Sequence, residues 1–239
     1  MNLHAILRAG KSRISSYEPL VVVTLLVASA GVFAFFKLTE EMLEGETHEF
    51  DNAILGGLRS AVDPATPIGP GWFTKAFTDI TSLGGVTVLT LLTTFAVIYL
   101  LLIRKRITAV FLLVSILGGW LLSTGLKLGV ARPRPDLVPH LVEVNDLSFP
   151  SGHAMLSAVT YLTLGILLAQ TQSSHATRYF FVLVAVFLTL LIGMSRIYLG
   201  VHYPTDVLAG WSAGSAWACL CWLLSRQIVP RREALRSGD

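Results

Sequence analysis

Three short runs in the 239-residue sequence carry the residue types that chemistry needs. Run 127–135 holds Lys127, Arg132 and Arg134; run 149–153 holds Pro150, Ser151, Gly152 and His153; run 195–206 holds Ser195, Arg196, His202 and Asp206. Lys127, Arg134 and Arg196 offer up to three positive charges, and the two guanidinium forks suit phosphate oxygens. Arg132 either joins them or faces water, and Ser195 is a weaker extra donor. Pro150-Ser151-Gly152-His153 reads as a helix start. Ser151 is a good N-cap, Gly152 lets backbone approach a ligand closely, and the free amides and dipole of that turn seat an anion. His153 is placed there to deliver a proton. His202 and Asp206 are one helical turn apart, so the carboxylate can hold one imidazole nitrogen and leave the other free to attack. Pro204 between them marks a helix start nearby. Together these groups suit displacement at an anionic centre, with neutralised charge, a nucleophile, and an acid opposite it.

The composition says what kind of element must carry these groups. Hydrophobic residues make up 53% of the chain and charged residues 14%, and the mean hydropathy is +0.66. That leaves too little polar surface to cover a globule in water, and predicts an integral membrane protein. The low charge excludes a disordered chain, and two cysteines exclude a disulfide scaffold. Crossing the hydrocarbon takes about 20 mostly apolar helical residues. Six stretches come close: 19–36, 83–103, 107–128, 153–170, 179–199 and 207–225. Several are rich in Val, Ile and Thr, but in lipid every backbone group must be satisfied within the segment, so their length decides for helix. The expected fold is all-α, a polytopic membrane protein of six transmembrane helices.

Lys and Arg set the orientation. With a cytoplasmic N-terminus, eleven of the 18 basic residues fall on the cytoplasmic side, including the tight Arg104-Lys105-Arg106 turn. Both termini are then cytoplasmic, and all three chemical runs open on the exoplasmic face. Because the positive charges flank spans, the net charge of +3 does not mark a nucleic-acid binder. Ala28-Ser29-Ala30 resembles a signal-peptidase site, yet the apolar run continues past it to Phe36, so an uncleaved anchor is expected.

The chain reads as one domain: a cytoplasmic leader (1–18), a first span (19–36), an exoplasmic interfacial segment (37–82), a five-span bundle with the chemical groups (83–225) and a cytoplasmic tail (226–239). In the interfacial segment, Glu40, Glu41, Glu44, Glu46, Glu49 and Asp51 are expected to form a solvated face. Phe50, Ile54 and Leu58 recur at intervals of four and predict one apolar helical face. Pro64, Pro67, Gly69 and Pro70 interrupt the chain, and Trp72, Phe73 and Phe77 suit an interfacial anchor. Cys219 and Cys221 are expected to pack inside the last span, and Gly210-x-x-x-Gly214 to let helices approach within the bundle. His4, His48, His140 and His175 receive no role.

The three runs resemble the type 2 phosphatidic acid phosphatase family, which shares its pocket with vanadium haloperoxidases. The family pattern is Lys, six residues, Arg-Pro; then Pro-Ser-Gly-His; then Ser-Arg, five residues, His, three residues, Asp. Lys127 with Arg134-Pro135, Pro150 to His153, and Ser195-Arg196 with His202 and Asp206 match it in order. The resemblance implies that His202 attacks phosphorus while Asp206 holds it. It implies that His153 protonates the departing oxygen and then activates water. Lys127, Arg134, Arg196, Ser151 and the Gly152 amide would bind the non-bridging oxygens. No metal or other cofactor is implied.

The partners implied are a lipid phosphate substrate and the surrounding membrane lipids, in the plasma (inner) membrane of a bacterium. Undecaprenyl diphosphate leads as substrate, followed by phosphatidic acid and phosphatidylglycerol phosphate, with a lipid A phosphate also open. Two other readings use the same residues: a phosphotransferase that passes the phosphohistidine to an acceptor, and a non-enzymatic anion-binding transporter.

Overall fold

The computed structural model describes residues 3–144 and 146–236, and the side chains of 19–144 and 146–226. Arg8, Lys11, Arg13, Arg231, Arg232 and Arg236, which contribute to the orientation argument, lie outside the described side chains. Eight helices follow in order among the described residues: α1 (Leu3–Glu44), α2 (His48–Gly57), α3 (Gly71–Ser82), α4 (Val86–Leu102), α5 (Arg106–Val130), α6 (Gly152–Gln170), α7 (His175–Tyr198) and α8 (Pro204–Arg236). Within those residues there is no strand, only an isolated bridge between Arg59 and Pro67.

By length and composition, α5, α6, α7 and the 19–44 and 204–226 parts of α1 and α8 are five membrane-crossing helices. A sixth span results if α3 and α4, bent by 46° at Leu83, Gly84 and Gly85, cross together. The 25 residues of α5 reach about 37 Å, enough for the hydrocarbon core. Large apolar side chains crowd the outside of the bundle: Phe33 is 71% exposed and Leu102 76%. Such a surface requires hydrocarbon rather than water as its solvent. The chain is a polytopic helical membrane protein.

Three details differ from the expectations above. First, α1 does not stop near Phe36 but runs on to Glu44. Lys37 pairs with Glu40 at 3.2 Å and Glu41 at 3.6 Å along the helix, so apolar character ends before the helix does. Second, α2 turns an acidic residue inward instead of keeping it on a solvated face. Phe50 is half-exposed, whereas Asp51 and Leu55 are completely buried, because polar partners for Asp51 wait inside. Third, Trp72 is exposed, but Phe73 and Phe77 pack on Tyr198 of α7 with ring centroids 5.5 and 4.5 Å away. They pin α3 to the bundle rather than to the lipid interface.

Helix α6 lies at the centre, against α5, α7 and α8, and α1 lies along α8. The α6–α8 seam depends on Gly210 and Gly214. A Cβ at Gly210 would come within 2.7 Å of the Ser151 carbonyl oxygen, and one at Gly214 within 2.5 Å of the Met155 carbonyl oxygen. The Gly210-x-x-x-Gly214 pair therefore packs inside the bundle. Cys219 and Cys221 are free thiols on α8, Cys221 buried and Cys219 half-buried. Two apolar clusters fix the chemical runs. Phe149 is buried with Phe35, Met42, Met155 and Ala209, anchoring the start of α6. Tyr198, Leu199 and Val201 are buried against Phe73 and Phe77, anchoring the α7–α8 turn. Gly200 in that turn has φ +74°, a conformation that glycine adopts without strain.

Candidate active site

One cavity of about 400 Å³ gathers side chains from every chemical run. Lys127 from the end of α5, Arg134 from the following loop, Gly152 and His153 from the start of α6, Arg196 from the end of α7 and His202 from the α7–α8 turn all line it. Thr81, Ser123, Thr124, Glu143 and Asp146 add further polar groups to its wall, and Gly84 lines it too. The two histidines thus face one space rather than opposite ends of the bundle.

His202 is held through both nitrogens of its ring. Its Nδ1 lies 3.5 Å from an Asp206 oxygen and 3.4 Å from the Ser148 hydroxyl. Its Nε2 accepts a hydrogen bond from Arg134 Nη1 at 3.2 Å. These partners assign the proton to Nδ1 and the lone pair to Nε2. Burial, and then the positive charges of Arg134, Arg196 and Lys127, push the His202 pKa well below the usual histidine range. The ring is therefore neutral near pH 7, with its Nε2 lone pair engaged by Arg134 Nη1.

Asp206 is fully buried and fully used. It accepts hydrogen bonds from Arg132 Nη1 at 2.7 Å, the Tyr203 amide at 2.9 Å and the Ser148 hydroxyl at 2.5 Å. Its own carbonyl receives the Ser151 amide at 2.9 Å, tying the start of α6 to the start of α8.

The cations are also placed by specific partners. Lys127 Nζ and Arg134 Nη2 both pair with the Asp146 carboxylate. Lys127 Nζ donates to the Leu147 carbonyl at 2.8 Å, and Arg134 Nη1 to the Val201 carbonyl at 2.5 Å. Burial alone would raise the Asp146 carboxyl, but the two cations override it and hold its pKa at about 2. Arg196 is buried, its Nη1 donating to Thr81 Oγ1 at 3.0 Å, while its Nε has no hydrogen-bond partner.

The remaining candidates lie outside the lining. Ser151 sits at the N-cap position of α6, yet its hydroxyl makes no capping bond and is buried without a partner. Ser195 gives its hydroxyl to the Ile192 carbonyl at 2.6 Å within its own helix. Arg132 neither faces water nor lines the cavity. It is buried, with Nη1 on Asp206 and Nη2 on Asp51.

Asp51, Ser148, Thr205, Asp146 and Thr81 are residues of this region that the sequence reading left out. The Asp51 carboxylate was assigned to a solvated face, and only a long-range contact shows otherwise. Ser148 lies two residues before Pro150, and its proximity to the second run was the one signal available. Asp146 brings a carboxylate directly onto Lys127 and Arg134. Among the described residues, no three His, Cys, Asp or Glu side chains come together in a set that could hold a metal ion.

A second, apolar cavity of about 360 Å³ adjoins the first and shares Val86, Trp120 and Leu156 with it. It runs between α4, α5 and α6 among Leu89, Leu113, Ile116 and Leu117. A charged compartment and an apolar one therefore meet at a common wall.

The sequence profile of the PAP2 superfamily matches residues 108–230. Phosphatidylglycerophosphatase B of Bacillus subtilis is 33% identical over 166 residues, covering 68% of this chain and 80% of that protein. An undecaprenyl-diphosphatase of Sulfolobus acidocaldarius is 35% identical over 117 residues, covering 47% of this chain and 52% of that one. The crystal structure of a transmembrane PAP2-type phosphatidylglycerolphosphate phosphatase from Bacillus subtilis superposes with a TM-score of 0.76 at 28% identity, covering 84% of this chain and 96% of that one. With its profile match spanning half the sequence and a relative 33% identical over most of both chains, the chain belongs to the PAP2 superfamily.

Proposed function

We propose that the protein is a membrane phosphatase that hydrolyses the phosphate or diphosphate of a lipid through a phosphohistidine. The observation that carries this reading is the shared wall between the two cavities. A phosphate head can sit among Lys127, Arg134 and Arg196 while its apolar tail lies between α4, α5 and α6. The relatives support it, being a phosphatidylglycerophosphatase and an undecaprenyl-diphosphatase.

In this mechanism the neutral His202 attacks phosphorus through Nε2 as the bond from phosphorus to the lipid oxygen breaks. Nδ1–H faces Asp206, whose negative charge stabilises the imidazolium that forms. His153 gives its proton to the departing oxygen, then takes one from the water that attacks the phosphohistidine, releasing inorganic phosphate and restoring both histidines. Lys127, Arg134 and Arg196, with the Gly152 amide, take up the charge of the non-bridging oxygens. Three cations supply the neutralisation a metal would otherwise provide, so the reaction is proposed to need none. Undecaprenyl diphosphate, phosphatidic acid and phosphatidylglycerol phosphate are the substrates in view. The site is placed on the exoplasmic face of a bacterial plasma membrane, with both termini cytoplasmic, by the distribution of Lys and Arg.

The test is phosphate release by purified protein in detergent from a panel of these lipids in excess chelator. Release without added metal or acceptor is expected, and His202→Ala should abolish it. A divalent-metal requirement would refute the metal-free step, dependence on an acceptor would favour transfer, and an active His202→Ala would refute the nucleophile.

A further inference from the structure

Helix α2 lies outside the segment matched by the superfamily profile, yet one of its side chains reaches the residues that support the site from behind. Asp51 is completely buried, while its neighbours Glu46, Glu49 and Phe50 are exposed. Its Oδ2 accepts hydrogen bonds from Arg132 Nη2 at 2.8 Å and Thr205 Oγ1 at 2.7 Å, and its Oδ1 accepts the Thr205 amide at 3.0 Å. That amide belongs to the first turn of α8, so Asp51 also caps, from another helix, the helix that carries Asp206. The other end of the Arg132 fork donates to Asp206 at 2.7 Å, and the guanidinium lies over the Tyr203 ring, 4.0 Å from its centroid. One buried guanidinium is therefore shared between two buried carboxylates.

We propose that Asp51 is a positioning residue for the His202 nucleophile, acting through Arg132 and Asp206. This rests on the phosphohistidine reading above. Arg132 beside Asp206 alone would neutralise the charge that must support His202 as it becomes an imidazolium. With Asp51 on the opposite side, the group of three carries a net negative charge, and Asp206 keeps its hold on Nδ1–H. Because Asp51 does not line the cavity, it contributes to the chemical step rather than to phosphate binding.

Asp51→Asn keeps an acceptor for Arg132 and Thr205 but removes the charge. The charged and titratable groups around His202 are Lys127 from α5, Arg134 and Asp146 from the loop, His153 from α6, Arg196 from α7 and Asp206 from α8. With these unchanged, loss of one negative charge makes His202 less basic, so the acid limb of the kcat/KM profile moves to lower pH.

The experiment compares wild type, Asp51→Asn, Asp51→Glu and His202→Ala as full chains in detergent, measuring phosphate release, its pH profile and thermal stability. For Asp51→Asn the expectation is a fall in kcat of about tenfold with KM changed less than twofold and the acid limb displaced downward, as for groups that orient a catalytic histidine. Asp51→Glu, which keeps the charge, should recover part of kcat. An Asp51→Asn protein with wild-type kcat and pH profile overturns the inference while leaving the phosphatase reading intact. So does a loss of kcat that follows lowered thermal stability with no movement of the pH limb. Retained activity in His202→Ala overturns both, because no nucleophile would remain to be positioned.

Discussion

Asp146 sits where a phosphate would have to compete, and replacing it should tighten substrate binding. Its carboxylate pairs with both Lys127 and Arg134, two of the three cations assigned to the non-bridging oxygens. Its pKa is about 2 against an ordinary 3.8, a gap worth about 2.5 kcal/mol at 1.36 kcal/mol per pH unit. The side chain is 61% exposed, so solvent screening reduces the useful part to about 1 kcal/mol. Asp146→Asn keeps the size of the side chain and the backbone carbonyl that receives Arg134 Nε at 2.7 Å. It removes the competing charge. KM for a lipid phosphate and the inhibition constant for inorganic phosphate should both fall about fivefold, with kcat within twofold of wild type. The assay is steady-state phosphate release in mixed micelles at fixed ionic strength. A KM that rises, or an unchanged inhibition constant, would refute the reasoning and show that Asp146 builds the anion seat instead of occupying it.

Other predictions follow from the same geometry. His202 is neutral in the folded protein, whereas in the unfolded chain it takes up a proton below about pH 6.5. Folded stability is therefore lost as pH falls below that value, and the melting temperature in detergent should drop more steeply from pH 7 to 5 for wild type than for His202→Gln. Gly214→Val places a side chain against the Met155 carbonyl oxygen at 2.5 Å. It should destabilise the bundle by about 1–3 kcal/mol in denaturation measurements. Leu117→Trp fills the apolar cavity between α4, α5 and α6. It should raise KM for a long-chain lipid phosphate several-fold more than for a short-chain one, and equal effects on both would argue against a tail in that cleft.

What could be read from the sequence was whatever depends on short range. Hydrocarbon thickness forces runs of about 20 apolar residues, so the expected spans overlap α1 and α4 to α8 closely. The spacing of Lys127 and Arg134, and of His202 and Asp206, is local, and their shared cavity follows from the ends of neighbouring helices. The support behind His202 was not legible, because it is assembled across the chain. Asp51 meets Arg132 over 81 residues, and Ser148 meets Asp206 over 58. Nothing in the local pattern of α2 indicates that an acidic residue turns inward while Phe50 turns out. Periodicity ranks faces by hydrophobicity, and here a buried guanidinium reverses the ranking.

The break between α3 and α4 has a mechanical consequence. If α3 and α4 cross together, a bilayer of different thickness is met by a change of the 46° angle between them. The joint is not remote from the chemistry. Gly84 has room for no side chain against Ile192 and the His153 ring, and it lines the same cavity. A change of that angle would therefore move the wall of the cavity beside the His153 ring.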